Sequence, residues 1–197
     1  MDSGLRAVLR ELYDEGQSHD AGTPDRTRRR RNLEPDAAEF LRFLLLAVHA
    51  RQVVEIGTSN GYSTLWLADA VARTGGRLLS VDLDAEAQRE AEGWLGRAGL
   101  AGVVELRAGD GGEVLRTLPP GTVDVLFLDA ERTEYPGWWD AIRAAPRDGG
   151  LIVVDNAISH ADEVAPLRQL LDEDPGWTVT LLHIGKGELL AVRTGAH

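Results

Sequence analysis

Three side chains that can offer oxygen atoms as ligands follow two apolar segments. Oxygen ligands of this kind are typical of a site for a hard cation. Asp129 comes directly after the apolar run 123–128, while Asp155 and Asn156 come directly after the run 151–154. Two carboxylates and an amide suit Mg²⁺, Ca²⁺ or Mn²⁺, with the remaining coordination positions left to water or substrate. Such an ion acts as a Lewis acid that lowers the pKa of a bound hydroxyl group. The alternative is a simple turn in which Asp155 and Asn156 cap the next helix.

A second group of residues has the composition of a cofactor-binding turn. Gly57 and Gly61 enclose the segment 58–60, between an apolar run and an amphipathic stretch. Ligands of open α/β sheets bind at such turns, at the carboxyl ends of the strands. Gly57 allows close approach of a ligand, and the helix that begins near Gly61 offers unpaired N–H groups. The middle glycine of the dinucleotide fingerprint is missing, which favours an adenosine cofactor other than NAD.

Two aspartates are placed to recognise the remaining parts of an adenosine group. Asp82 follows the glycine turn by about 20 residues, where a carboxylate accepts hydrogen bonds from both ribose hydroxyls. Asp82 could instead cap the following helix. Asp110 could hold the adenine amino group, but Asp110 and Glu113 also have the spacing of a helix capping box, and one residue can do both.

The elements that must position these residues alternate between short apolar runs and amphipathic stretches. Strands are predicted at 53–56, 78–81, 103–106, 123–128 and 151–154, and helices at 61–73, 84–98, 111–117 and 136–145. This alternation predicts right-handed crossovers in a parallel sheet. After a helix over 162–173, strands at 177–184 and 188–193 flank Gly185-Lys186-Gly187, which is hairpin turn chemistry. The predicted fold is an α/β, Rossmann-like open seven-stranded sheet, mostly parallel with a C-terminal antiparallel β-hairpin, with helices on both faces.

The chain is predicted to form a single domain, 1–197. Residues 1–50 are expected to form a helical and lid segment, and residues 51–197 a Rossmann-like core. Apolar spacing predicts a helix over 3–15, a loop over 16–27 that is a candidate lid, and a second helix from Pro35. The arginine run from Arg26 to Arg31 could contact an acidic ligand, a phosphate or a partner chain. The alternative is a solvated entry to the next helix.

Composition excludes several classes of protein. The chain has 197 residues, no cysteine and a formal net charge of -11. The charge disfavours DNA and RNA, whose binding generally needs a basic face. No segment approaches the roughly 20 apolar residues of a membrane span, and no apolar signal core precedes the first helix. We therefore expect a cytoplasmic protein that contacts neither DNA nor a membrane.

Five motifs in order resemble the class I methyltransferases of the catechol and caffeoyl-coenzyme A O-methyltransferase group. They are EIGTSNGYST (55–64), VDLD (81–84), AGD (108–110), LFLDA (126–130) and VVDNA (153–157). The resemblance runs from about residue 35 to the C-terminus. It implies S-adenosylmethionine as methyl donor, a divalent cation, most readily Mg²⁺, at Asp129, Asp155 and Asn156, and a homodimer. The residues it implies around the methyl donor are Glu55, Gly57, Thr58, Gly61, Ser63, Asp82, Leu83, Asp110 and Asp129.

The chain departs from this family at the expected general base. The family places a lysine three residues after the first metal aspartate, where this chain has Arg132, and the only lysine is Lys186 in the predicted hairpin turn. Arginine stays protonated and cannot accept a proton, although it can stabilise a developing phenolate. We interpret the chemistry as acidification by the cation, with His160 as a proton acceptor. The alternative for His160 is an exposed loop residue.

Aromatic residues follow the fourth strand, where they could sandwich a planar acceptor. Tyr135 and Trp138 are the candidates, and one of Trp138 and Trp139 is expected in the core instead. The sequence thus predicts an S-adenosylmethionine-dependent, divalent-metal-dependent O-methyltransferase acting on a hydroxyl of a small catechol-like or phenolic molecule. The alternatives are a tRNA-modifying O-methyltransferase, a catalytically silent cofactor-binding protein and, less favoured, an NAD-dependent oxidoreductase.

Overall fold

A seven-stranded sheet runs through the part of the chain that the computed structural model describes, residues 1–25 and 29–195. Its strands are β1 (Gln52–Ile56), β2 (Arg77–Asp82), β3 (Val104–Ala108), β4 (Val123–Leu128), β5 (Pro146–Val154), β6 (Trp177–Leu182) and β7 (Glu188–Arg193). Their order is β3-β2-β1-β4-β5-β7-β6. The pairings among β1 to β5 are parallel, and β7 is antiparallel to both of its neighbours. The predicted fold class is confirmed.

The helices cover both faces of this sheet. They are α1 (Ser3–Gly22), α2 (Pro35–Ala47), α3 (Tyr62–Thr74), α4 (Ala85–Ala98), α5 (Gly111–Thr117), α6 (Trp139–Ala144) and α7 (Ala161–Glu173), with 3₁₀ turns at Ala101–Val103 and Arg132–Trp138. Side chains of α1 to α4 form one hydrophobic cluster against the sheet, and those of α5 to α7 form a second cluster on the opposite face. Burial on both faces explains why β4, after Asp124, is a continuous apolar run over 125–128 rather than an alternating one.

The order in which strands are added to the sheet reverses between β1 and β4. From β1 the chain winds outward through β2 to β3, and it then returns to β4 on the other side of β1. The connections that follow β1 and β4 therefore leave toward opposite faces of the sheet. Open α/β sheets bind their ligands at this switch point.

The first helix is longer than predicted, and the expectation of a loop over 16–22 is wrong. The helix α1 continues to Gly22. Its buried face continues from Leu12 to Gly16, where any Cβ atom would collide with the Asn32 side chain, so a glycine extends the buried stripe without an apolar side chain. The candidate lid shortens accordingly to the segment after α1.

The end of that segment is fixed to its surroundings. Both oxygens of the Asp20 carboxylate accept hydrogen bonds, from the backbone N–H groups of Arg30 at 2.6 Å and Arg31 at 2.9 Å. The Arg30 guanidinium pairs with Glu90 of α4 at 2.5 Å, and the Arg30 carbonyl accepts a hydrogen bond from Ser59 Oγ at 2.8 Å. This part of the arginine run contacts its own chain, whereas Arg26 and Arg28 lie outside the described residues.

The division of the chain at residue 50 stays a prediction. Among the described residues, no helix combines the length and the apolar character needed to cross a membrane.

Candidate active site

The turn after β1 packs against the end of β4, and its glycines make that packing possible. Gly57 has φ 107°, and a Cβ atom there would collide with the backbone oxygen of Asp129. The Gly57 N–H donates to Val81 at 2.8 Å, and the Asp129 N–H donates to Ile56 at 2.9 Å. Gly61 has φ 90° and begins α3, and its Cβ would lie 2.8 Å from the Cβ of Ala91. Only glycine fits at either position, which brings the turn and Asp129 together.

Glu55 lies beneath this turn, in the interior. Its carboxylate is completely buried and accepts hydrogen bonds from Ser63 Oγ at 2.5 Å, Thr64 Oγ1 at 2.6 Å and Ser80 Oγ at 2.6 Å. Burial raises the pKa of Glu55 to about 7, and the three hydroxyl groups oppose that rise. The expectation that Glu55 lines the cofactor pocket with its own surface is therefore wrong for this structure, because the side chain holds the turn and the first residues of α3 in place.

Thr58 and Ser63 also direct their hydroxyl groups inward. Thr58 Oγ1 lies 2.6 Å from Ser80 Oγ and accepts a hydrogen bond from Gln88 Nε2 at 2.9 Å. Gly61, which precedes α3, has no side chain to cap the helix, and among the described residues only Asn60 Oδ1 accepts from this first turn, from the Tyr62 N–H at 3.3 Å. What the turn presents to a ligand is consequently its backbone and the positive end of the α3 dipole.

Asp82 is the last residue of β2, and Asp110 follows the end of β3, as predicted. Asp82 accepts hydrogen bonds from the backbone N–H groups of Ser59 at 2.8 Å and Asp84 at 2.9 Å, so it joins the β1 and β2 loops. Asp84 caps α4, so the capping role considered for Asp82 belongs to its neighbour. Asp110 does cap α5, by accepting from the Glu113 N–H at 2.8 Å. Beside them, Leu83 is 75% exposed, which leaves an apolar side chain in solvent at this edge.

The three predicted cation ligands meet at the ends of β4 and β5. Asn156 has φ 65°, and its Nδ2 donates to Asp155 Oδ2 at 2.6 Å and to Asp129 Oδ1 at 3.4 Å. The partly positive amide nitrogen thus lies between the two carboxylates, in the place where a cation would be attracted. Within residues 1–25 and 29–195, no three His, Cys, Asp or Glu side chains are gathered as a metal site. A cation here would therefore need the amide oxygen of Asn156, presented by rotation of the side chain, and water.

Electrostatics at this edge favour a positive ligand. The pKa of the Asp129 carboxyl is raised well above its usual range, first by burial, then by the charges of Asp155 and Glu55. Burial also raises the pKa of Asp155. Arg132 and Lys186 oppose both shifts. A divalent cation would remove the repulsion between the two aspartates.

Arg132 and His160 both lie close to the ligands, in different surroundings. Arg132 is buried, and its Nε donates to Glu163 of α7 at 2.8 Å. His160 Nδ1 lies 2.9 Å from Ser159 Oγ, which in turn donates to Asn156 Oδ1 at 3.2 Å. Arg132 is thus a fixed charge beside Asp129, and His160 is connected to the amide ligand through one hydroxyl group.

The aromatic residues do not lie where the sequence suggested. Tyr135 is completely buried, and its hydroxyl oxygen accepts a hydrogen bond from the Ala130 N–H at 2.8 Å, so the expectation that it stacks on an acceptor is wrong. Trp138 is also buried and packs against Gly111 and Gly112 at the start of α5, so it takes the core position. The 3₁₀ turn over 132–138 points both rings back into the second hydrophobic cluster.

Comparison with known proteins agrees with this arrangement of turn, acidic edge and sheet. Residues 8–194 match the family model described as O-methyltransferase. A catechol O-methyltransferase of Mycobacterium tuberculosis is 39% identical over 158 residues, covering 73% of this chain and 70% of that protein. Caffeoyl-CoA O-methyltransferase 5 of Nicotiana tabacum is 30% identical over 181 residues, covering 80% of this chain and 75% of that protein.

The chain belongs to the S-adenosylmethionine-dependent O-methyltransferase family. Among solved structures, the O-methyltransferase TomG from Streptomyces achromogenes, in complex with SAM, superposes with a TM-score of 0.79 at 26% identity. The match covers 99% of this chain and 91% of that one. The methyltransferase is thus an enzyme of this family, and the NAD-dependent oxidoreductase alternative is set aside.

The structure of the enzyme also reveals charged residues that the sequence-based analysis missed. Lys186, in the hairpin turn, pairs with Glu34 at 2.9 Å, and its charge acts on Asp129 and Asp155. Glu188, the first residue of β7, is completely buried beside Asp155. The signal available was a glutamate at the start of an otherwise apolar strand. The hairpin turn therefore lies beside Asp129 and Asp155, two of the predicted cation ligands.

The turn is held there by the backbone. The Ala157 N–H donates to Gly187 at 2.8 Å, and the N–H groups of Ile158 and Ser159 donate to Lys186 at 3.1 Å and 3.0 Å. These bonds fix the turn to the loop that follows Asn156.

Proposed function

We propose that this enzyme transfers the methyl group of S-adenosylmethionine to a hydroxyl group of a small catechol-like or phenolic molecule, with a divalent cation, Mg²⁺, at Asp129, Asp155 and Asn156. The observation that carries the proposal is the contact between the two half-sites. The glycine turn touches the Asp129 backbone, and the Asp129 side chain faces Asp155 and Asn156. A methyl donor at the turn and an acceptor at the carboxylates would be neighbours.

The chain's own residues provide a complementary surface for the donor. The start of α3 would receive its carboxylate, Asp82 its ribose hydroxyls, and Asp110 its adenine amino group, with Leu83 against the base. Gly57 would admit the sulfonium carbon chain close to the backbone. The SAM complex of TomG supports this donor.

On the acceptor side, a bound divalent cation would supply Lewis acidity toward an acceptor hydroxyl. Arg132, held by Glu163, would stabilise the negative charge that develops on the acceptor oxygen, and it cannot take the proton. His160, whose Nδ1 lies beside Ser159 Oγ next to Asn156, would accept that proton through a bound water, because the Asn156 amide cannot relay a proton. Holding the oxygen and the methyl group in line would supply much of the remaining acceleration.

The test is methyl transfer from S-adenosylmethionine to a panel of vicinal diphenols, with and without a chelator. We expect transfer to the diphenols that Mg²⁺ restores after chelation, and no transfer to the matching diphenols with both hydroxyls already methylated. Transfer that persists unchanged in chelator would contradict the metal requirement. A protein that binds tRNA needs a positively charged surface to attract this polyanion. The net charge of -11 therefore favours small acceptors over tRNA.

We also propose that the enzyme is a cytoplasmic homodimer in which the N-terminal helices supply apolar surface. Phe43 on α2 is 66% exposed, which is unusual for a large apolar side chain on a helix that otherwise packs inward. Sedimentation velocity of the wild type and of Phe43→Ser tests this. A monomeric mass for the wild type would contradict it.

A further inference from the structure

Glu188 is a buried carboxylate whose nearest polar partner is another carboxyl group. It is 0% exposed, no N–H group or hydroxyl of the described residues donates to its oxygens, and the Asp155 carboxyl beside it forms a hydrogen bond with it only while one of the two is protonated. Buried carboxylates ordinarily accept hydrogen bonds or pair with a positive side chain, because an unpaired charge in the interior strongly destabilises the folded state. Glu55 of the same chain illustrates the ordinary case, with three hydroxyl donors. Glu188 therefore lacks a partner of positive charge.

The sheet register places Glu188 at the proposed cation ligands. In the antiparallel ladder of β5 and β7, Val154 is opposite Leu189, so the next position outward sets Asp155 opposite Glu188. Directly opposite residues of an antiparallel pair have their side chains on the same face. The Glu188 carboxyl accordingly lies against that of Asp155, with Asp129 acting on it as a further negative charge.

The positive side chains nearby are each occupied by another carboxylate. Lys186 pairs with Glu34 at 2.9 Å, and Arg132 pairs with Glu163 at 2.8 Å. Asp36, from the start of α2, adds a further negative charge toward Glu188. The position beside Asp155 thus carries an excess of negative charge that a small cation would neutralise.

We propose that Glu188, without contacting the ion itself, acts from behind Asp155 to raise the affinity of the divalent-cation site for the cation. This inference rests on the proposed function, because it needs the cation at Asp129, Asp155 and Asn156. The number of charged groups around a cation tunes its binding, and groups behind the direct ligands affect it by about tenfold to a hundredfold. The proposed direct ligands include only two carboxylates.

The test is titration of the enzyme with Mn²⁺, with free Mn²⁺ measured by electron paramagnetic resonance. Glu188→Gln keeps the size of the side chain and removes its charge, and we expect it to weaken Mn²⁺ binding by about tenfold or more. Glu105→Gln is the matched control, because Glu105 is exposed on β3 at the other side of the sheet, and it should bind as the wild type does. Asp155→Asn should lose the ion.

The outcomes separate the two proposals. Equal affinity of Glu188→Gln and the wild type, with binding lost in Asp155→Asn, would overturn the role of Glu188 and leave the cation site standing. Failure of the wild type to bind Mn²⁺ would overturn both the metal part of the proposed function and this inference.

Thermal melting gives a second measurement that keeps the inference testable. Removal of this buried carboxylate, which lacks a positive partner, should raise the melting temperature of the cation-free protein, and Mn²⁺ should then raise it by less than in the wild type. Glu188→Leu, which matches the neighbouring Leu189 and Leu190, replaces Glu188→Gln in both measurements if that variant does not fold. A Mn²⁺-induced rise as large as in the wild type, in whichever variant folds, would contradict the inference.

Discussion

Arg132 provides a fixed positive charge beside the proposed acceptor site. Its guanidinium is buried, is held by Glu163, and lowers the pKa of Asp129 by its charge. A group that remains protonated cannot serve as base, but it can stabilise an oxyanion without reorganisation. Its contribution should therefore appear in turnover.

We expect Arg132→Ala to lower kcat by roughly a hundredfold to a thousandfold, as the loss of one preorganised donor does in other enzymes. Arg132→Lys should retain more activity, since it keeps the charge. Steady-state kinetics on a vicinal diphenol, with melting curves to verify folding, measure both. Unchanged turnover and acceptor affinity in Arg132→Ala would show that the arginine is only structural.

The raised pKa of Glu55 predicts how the free energy of unfolding depends on pH. Its folded pKa is about 7 against an ordinary value of 4.5, so between these values the folded protein keeps a proton that the unfolded chain has lost. The unfolded state then binds fewer protons, and this group lowers stability as the pH rises from about 4.5 to about 7. The shift corresponds to about 3 kcal/mol at pH values above this window.

Replacing Glu55 with Gln removes that titration. The unfolding free energy of Glu55→Gln, relative to the wild type, should increase by about 3 kcal/mol from below pH 4.5 to above pH 7. Urea denaturation at a series of pH values measures it, with the exposed Glu105→Gln as control. Parallel pH profiles for Glu55→Gln and the wild type would refute this account of the buried network.

At the scale of elements, the turn between β1 and α3 determines whether the two half-sites can meet. Gly57 allows no side chain because of its φ of 107° and its contact with the Asp129 backbone. Gly57→Ala should therefore displace the end of β4, abolish binding of S-adenosylhomocysteine and lower stability by several kcal/mol, on the order of an overpacked and strained core site.

Gly93→Ala is the control for this prediction. Gly93 lies within α4 with open space around it, so alanine there should be neutral or stabilise the helix by about 0.5–1 kcal/mol. Isothermal titration with S-adenosylhomocysteine and denaturant unfolding compare the two variants. Normal binding in Gly57→Ala would contradict the proposed contact.

The central strand β4 was predictable because a buried parallel strand contains a continuous apolar run, and the antiparallel strand β7 was located at 188–193 from the turn residues that precede it. The second half of α1 was not, since its buried position is Gly16 and the residue it contacts, Asn32, is distant in the chain. The convergence of Asp129, Asp155 and Asn156 could be predicted because these residues directly follow neighbouring strands, and their role as cation ligands stays a prediction. The inward direction of Tyr135 could not, since the 3₁₀ turn that sets it has no periodic pattern.

At the scale of the whole molecule, the order of the strands brings together residues that lie in separate sequence motifs. Outward winding from β1 and return to β4 bring the glycine turn, Asp82 and the predicted cation ligands Asp129, Asp155 and Asn156 to the same carboxyl edge of the sheet. Glu188 joins them only because the chain returns antiparallel beside β5. Glu188 lies 33 positions after Asp155, so residue spacing within a single motif cannot predict that the two are neighbours.

The central claim is that the methyl donor and the divalent cation bind side by side at this edge of the sheet, and nuclear magnetic resonance of bound S-adenosylmethionine labelled with ¹³C in its methyl group tests it directly. Paramagnetic Mn²⁺ should broaden the methyl signal of the donor in the wild type, excess Mg²⁺ should restore it, and Asp155→Asn should show no broadening. A methyl signal that stays sharp in the Mn²⁺-saturated wild type would contradict the claim.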